Sequence, residues 1–526
     1  MKRSVRFLPL VAVLGLLAAG AARPAWSGGQ QPSQGQKLAH AAEHLDMRLV
    51  GTHDLQARSA YQPLVHRYPD GRYILFVGHH AGGPSPNPLS GVLETNGTSI
   101  LDVTDPRHPV ALAHIPGPSG SGESGGSQMV RVCDADVLPN APAADKARHA
   151  VFLLRPFGNT NQQIYDVTDP RHPVFILNLF AVDRSSTHKS WWECDTGIAY
   201  VVAGAVAEGW KPGHVTSVFD LSNPRAPIFI RHFALDGQQP GSPLPNPPQV
   251  HGPISAYPFR DRVYFPFGVS SNGVLAIVDR TRLITGDLSK PCSTSHCAGP
   301  GERFNLTYPV IARLDMNPNW GGHTAMPFFR IPVADWAPNQ VGSPDPARST
   351  RDIVVLVSEA TANGCREFRH FAFFVDVTTE SRPQVVSSFQ VPEAAGDFCR
   401  RGGRFGAHAS NENFPTAIPG IPGVTSYHPP NPFYNKIVFL SYFNAGVRAV
   451  DIRDPFNPRE VAFFIPATTA NTDFRCVSPA GPPDCPRPIQ TNNVDTDDRG
   501  YIYIVDRANT GLHVLELSGD ARKIIE

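Results

Sequence analysis

Two ten-residue stretches of the chain are almost letter for letter the same. They are Leu101-Asp102-Val103-Thr104-Asp105-Pro106-Arg107-His108-Pro109-Val110 and Tyr165-Asp166-Val167-Thr168-Asp169-Pro170-Arg171-His172-Pro173-Val174. A long-period repeat of this kind means copies of one supersecondary motif stacked in a row or arranged in a circle, which narrows the fold more than any composition figure. Weaker copies occur at Phe219-Asp220-Leu221-Ser222-Asn223-Pro224, Val278-Asp279, Val375-Asp376-Val377-Thr378, Val450-Asp451-Ile452-Arg453-Asp454-Pro455 and Leu515-Glu516-Leu517. The anchors of these seven units stand 54 to 97 residues apart, so the excess length belongs to loops.

Each unit has the same grammar. A short β-branched and aromatic run comes first, such as Tyr73-Ile74-Leu75-Phe76-Val77 or Tyr501-Ile502-Tyr503-Ile504-Val505. A second strand then ends on the Asp. That carboxylate can accept from the backbone N–H two residues on. The Asp-Pro-x-x-Pro beyond it fixes φ twice and removes two donors, which forces a tight turn into a third strand. With an innermost strand ahead of each unit, there are four strands per repeat.

Seven four-stranded units predict an all-β fold, a seven-bladed β-propeller over residues 45–526, because radial repetition hides sheet edges. A sandwich or solenoid is the alternative. Only nine residues come after Leu517, while Leu45–Gly51 reads as an outermost strand lacking a unit of its own. It is expected to complete the last blade and close the ring.

Ahead of the propeller, Lys2, Arg3 and Arg6 precede an apolar run from Phe7 to Leu17 and the small residues Ala19-Gly20-Ala21. This is the layout of a secretory signal peptide over residues 1–21, with a flexible linker over 22–44, and it implies a periplasmic or extracellular protein. No later stretch approaches the roughly 18 apolar residues of a membrane span. The eight cysteines read as disulfides in an exported chain. Short loops suggest Cys292–Cys297 and Cys476–Cys485, elimination suggests Cys365–Cys399, and equivalent places in neighbouring repeats suggest Cys133–Cys194. Lys and Arg total 46, as do Asp and Glu, leaving no excess positive charge to track a nucleic-acid backbone.

The run apolar-apolar-Asp-apolar-x-Asp-Pro-x-x-Pro resembles the LVIVD repeat proteins, a family of exported bacterial and archaeal β-propellers. The likeness spans Leu45 to Leu517 and is weaker at Asp279, Asp376 and Glu516, where the Asp-Pro turn is missing. It implies fold and export but no reaction.

Aligning the innermost strands places Gln249-Val250-His251-Gly252, Gly322-His323-Thr324 and Ala407-His408-Ala409 in register. His251, His323 and His408 then stand at one level of three consecutive blades, where imidazoles can converge on Zn or Cu at bond lengths of roughly 2 Å. Glu193, Glu359 and Asn493 are supplementary ligand candidates, and Glu193 and Glu359 are also candidate catalytic carboxylates. With 20 histidines in the chain, hydrogen-bonded channel histidines without metal are the competing explanation. His79-His80-Ala81-Gly82-Gly83 reads as a loop after a strand, and His188-Lys189-Ser190-Trp191-Trp192 as core aromatics or a stacking surface at the channel mouth.

There is no Gly-x-x-x-x-Gly-Lys-Ser/Thr phosphate loop and no His-Glu-x-x-His. The leading functional expectation is therefore a monomeric binding or interaction module that takes a protein or small-molecule ligand at one propeller face. The alternative is a Cu- or Zn-dependent oxidase or hydrolase built on the channel histidines.

Overall fold

The computed structural model describes residues 40–287, 306–333, 349–423, 429–475 and 485–526. The signal-peptide reading, most of the linker, Cys292, Cys297 and Cys476 lie outside them. The first unit is an antiparallel meander of Ala60–Arg67, Tyr73–His80, Gly97–Asp102 and Val110–Pro116. The same order recurs from Arg131–Asp134 to Val174–Asn178, from Ser190–Trp192 to Ile228–Phe233, from Ile254–Ser255 to Val310–Asp315, and from Thr324–Pro332 to Gln384–Phe389. The meander Phe405–Ser410 to Arg459–Ile465 is joined in sheet pairing to the next one, which starts at Thr491–Thr496, by the single pair Phe443 and Thr491.

First strands of neighbouring units meet around a common axis: second with third, fourth with fifth, fifth with sixth, sixth with seventh, and seventh with first. Meanders arranged this way make a β-propeller. Second strands are sandwiched between flanking sheets, so Tyr73–His80, Ile198–Ala203 and Ile437–Phe443 are buried along their whole length.

The turn chemistry expected from the repeat is present. Asp102 accepts from the Thr104 N–H (2.9 Å) and Asp105 from that of Arg107 (3.1 Å). Asp166, Asp220, Asp376 and Asp451 make the same bond two residues on, at 2.8 to 3.1 Å. Asp279 departs from the rule because no proline comes after it: it caps the short helix Arg280–Thr285 by accepting from the Arg282 N–H (2.9 Å). A bulge also recurs just ahead of the anchor, between Ile100/Leu101, Ile164/Tyr165, Val218/Phe219, Ile277/Val278, Phe374/Val375 and Ala449/Val450. It twists the outer edge of each sheet before the turn.

At the N-terminus, Met47–His53 pairs antiparallel with Leu512–Leu517, with Met47 opposite Leu517. Part of the segment expected to be linker is also ordered, since Glu43–Leu45 lies along Arg459–Ile465 with Glu43 opposite Ile465. Asp46, at φ 45°, breaks the two strands apart. Disulfides Cys133–Cys194 and Cys365–Cys399 have Cα separations of 5.4 and 5.5 Å, matching the sequence pairing, and Cys485 is also disulfide-bonded. No helix among the described residues is long and apolar enough to cross a membrane.

Candidate metal centre in the channel

Three successive units each hand a side chain to a carbonyl of the next. His323 donates from Nδ1 to the His408 carbonyl (2.5 Å), and His408 donates from Nδ1 to that of Asn492 (2.6 Å). Asn492 in turn donates from its amide to the carbonyl of Tyr61 (3.0 Å). A ring nitrogen facing a carbonyl must carry the proton, so the Nε2 atoms of His323 and His408 are lone pairs. Both are buried and have no hydrogen-bond partner. Leaving such atoms unsatisfied is costly, and both lone pairs are available to ligate a cation.

The neighbouring groups complete the cluster. The rings of His251 and His323 lie 4.4 Å apart, as do those of His323 and His408. His251 Nε2 is 2.9 Å from Nε2 of His188, whose hydrogen-bonding distance to the Tyr61 hydroxyl is 3.3 Å. Glu359 places Oε2 3.6 Å from His323 Nε2 and Oε1 3.7 Å from His408 Nε2. Two triplets of ligand atoms result, His188/His251/His323 and His323/Glu359/His408, each within 4.8 Å of one another and fully buried. Two nitrogens bound to one tetrahedral ion at about 2.0–2.1 Å stand roughly 3.3 Å apart, close to these separations.

Burial pushes the imidazoles of His251, His323 and His408 well below the ordinary histidine value, and nearby imidazoles and the Lys189 cation push further. His188 is lowered to about 3. The cluster is therefore neutral at physiological pH, as ligation requires. Burial raises the Glu359 carboxyl, against the opposing Arg404 guanidinium 2.8 Å away. Lys189 is itself 1% exposed, with Glu412 at 3.6 Å.

The sequence-derived residues thus sort unequally. His251, His323, His408 and Glu359 converge. Glu193 stands apart as a brace between two units: Arg280 donates to it at 2.7 and 2.9 Å, Tyr200 at 2.9 Å, and Ser255 and Thr196 at 2.5 Å. Asn493 accepts from Asn492 (3.0 Å) and joins neither triplet. His79 and His80 are not on a loop: they end the buried strand Tyr73–His80.

His188 is the ligand-grade residue missed by the alignment, which set Trp191 at the channel level. Its signal was spacing, since it precedes the strand at Ile198 by ten residues, much as His251 precedes Arg262 by eleven. Ser217-His232-Glu208 (3.0 and 2.7 Å) and Ser358-His370-Glu367 (2.7 and 3.4 Å) have the connectivity of hydrolytic triads. Both serines and both histidines are sealed inside the protein, so these sets pin strands together and admit no substrate.

No family model and no curated protein sequence matches the chain. Among solved structures it is similar to Sqt1 of Chaetomium thermophilum, at 9% identity and a TM-score of 0.45 over 90% of this chain and 99% of that one. It is also similar to the β-propeller domain of Cps50 (Swd1) of Myceliophteria thermophila, at 9% identity and a TM-score of 0.38, over 87% and 97%.

Proposed function

We propose that this chain is an exported, seven-bladed propeller metalloprotein of the LVIVD type that holds one copper or zinc ion in its channel. His323 is the common ligand, completed either by His188 and His251 or by His408 and Glu359. The observation that carries this reading is the pair of buried, partnerless Nε2 atoms on His323 and His408, each fixed as a lone pair by a carbonyl bond behind it.

Because His323 has spent Nδ1, its one free nitrogen belongs to both triplets, and the two positions are alternatives for a single ion. A bound ion would lower the pKa of water, and copper would in addition supply the redox chemistry an oxidase needs; Glu359 is the carboxylate placed to carry a proton. This favours an oxidase or hydrolase over a purely partner-binding propeller. The interaction-module reading draws on the long insertions after Asp279 and Asp376, parts of which lie outside the described residues.

Seven blades are supported by seven four-strand meanders in chain order, counting Met47–His53 as the outermost strand of the last, and ring closure by its pairing with Leu512–Leu517. Export is supported by the disulfides. The test is elemental analysis of untagged protein: about one equivalent of Cu or Zn, lost in the His251/His323/His408 triple Ala variant, is expected. No metal after reconstitution overturns the reading.

A further inference from the structure

A cavity of about 460 Å³ has a lining that includes Ser59, His80, Asn96, Asp473, Arg475 and Arg507. His80 is 2% exposed, and neither of its ring nitrogens has a hydrogen-bond partner. Its ring lies 4.9 Å from that of Tyr61, edge-on, and the Tyr61 hydroxyl reaches His188. His80 and Tyr61 thus form a chain of side-chain contacts between the cavity lining and His188 of the histidine cluster.

The donors in this cavity are underused. Among the described residues the Arg507 guanidinium makes no hydrogen bond, and its ion-pair partner, Glu123 Oε1, is 3.6 Å away. Arg475 donates one amine to the Arg507 carbonyl (2.7 Å) and has Asp473 at 3.7 Å, while its Nε is buried without a partner.

Glu123 shows what the donors are suited to. It sits in the glycine-rich loop 117–125, with Gly122 and then Gly126 at φ 55° and 75°, in a backbone region open to glycine. Its half-exposed carboxylate stands 3.5 Å from His80 Nε2, 3.6 Å from Arg507 and 4.0 Å from His188 Nδ1. It is near all three but at no less than 3.5 Å from any of them, a carboxylate held in place by long contacts.

We infer that this cavity is the docking site for a small carboxylate substrate, which displaces Glu123 outward on its loop, pairs with Arg507 and His80, and is presented past Tyr61 to the channel histidines. Burial and the like charge of Arg404 lower the Arg507 pKa to about 10, and an incoming anion relieves both. The inference deepens the metalloprotein reading and rests on it only for the chemistry after docking.

The experiment is calorimetric titration of malonate into the full mature chain, first stripped of metal with a chelator and then reloaded with copper. Binding to the metal-free chain is expected, weakened at least about tenfold in Arg507→Gln and strengthened by about as much in Glu123→Gln, which removes the competitor. Should Arg507→Gln fail to fold, the gain in Glu123→Gln carries the test alone. Absence of binding, binding indifferent to Glu123→Gln, or binding only after copper loading overturns the inference. Failure of the metal reading shows itself differently, as malonate binding without copper uptake.

Discussion

Glu193→Gln separates a structural carboxylate from a catalytic one. Glu193 is 3% exposed and Arg280 is 8% exposed, and the Arg280 fork grips the carboxylate at 2.7 and 2.9 Å while two hydroxyls from Tyr200 and Ser255 also donate to it. Burial works against the Arg280 cation, but the Glu193 carboxylate outweighs it and holds the guanidinium pKa above its ordinary value. Gln keeps the shape and one acceptor oxygen but leaves the buried guanidinium with only the more distant Asp261 (3.8 Å) as counter-charge, so the cost approaches the about 3–5 kcal/mol of a broken buried ion pair. The readout is the urea midpoint, which should fall at unchanged slope, with metal content unchanged. Pairing the change with Arg280→Met should recover most of the loss, because removing both charges is close to neutral. An unchanged midpoint together with lost metal or lost activity would refute the reasoning and return Glu193 to the site.

The same geometry yields three further outcomes. His323→Gln should abolish metal binding, because it breaks both triplets, whereas His188→Gln and His408→Gln each leave one triplet and should only weaken it; metal titration of the three variants checks this ranking. Asp495 is raised by burial to about 7, against N–H donors from Val65 and Thr496, so the native state holds a proton that the unfolded chain releases near 3.8. Stability should then fall by on the order of 4 kcal/mol as pH rises from about 4 to 7, and Asp495→Asn should flatten that slope in pH-dependent denaturation. Replacing Cys133 and Cys194 together by Ser frees a 61-residue separation and should cost about 4 kcal/mol, read from denaturation with and without reductant.

Much of the fold was legible because the repeat encodes its own turns: the Asp that ends a strand also bonds the backbone beyond it, so one letter marks both strand end and turn. Asp279 shows where that legibility fails, since without the proline the same carboxylate starts a helix. At the site, His251, His323 and His408 were found because aligning the innermost stretches of three consecutive units puts all three at one level. His188 was hidden by its neighbours Trp191 and Trp192, whose apolar bulk drew the alignment three residues along. Glu193 was misjudged for a different reason: its partner Arg280 lies 87 residues away, and no local pattern announces a buried ion pair between units. The burial of His79 and His80 was likewise invisible, because glycines after a strand read as loop whether or not the strand's last residues are covered.

The central claim is one ion on the channel histidines, and anomalous diffraction from crystals grown with copper tests it most directly. The account predicts a single strong peak within about 2.0–2.1 Å of His323 Nε2, shared with His251 and His188 or with His408 and Glu359. A chain that takes up copper yet shows its peak elsewhere, or shows none in the channel, would contradict it.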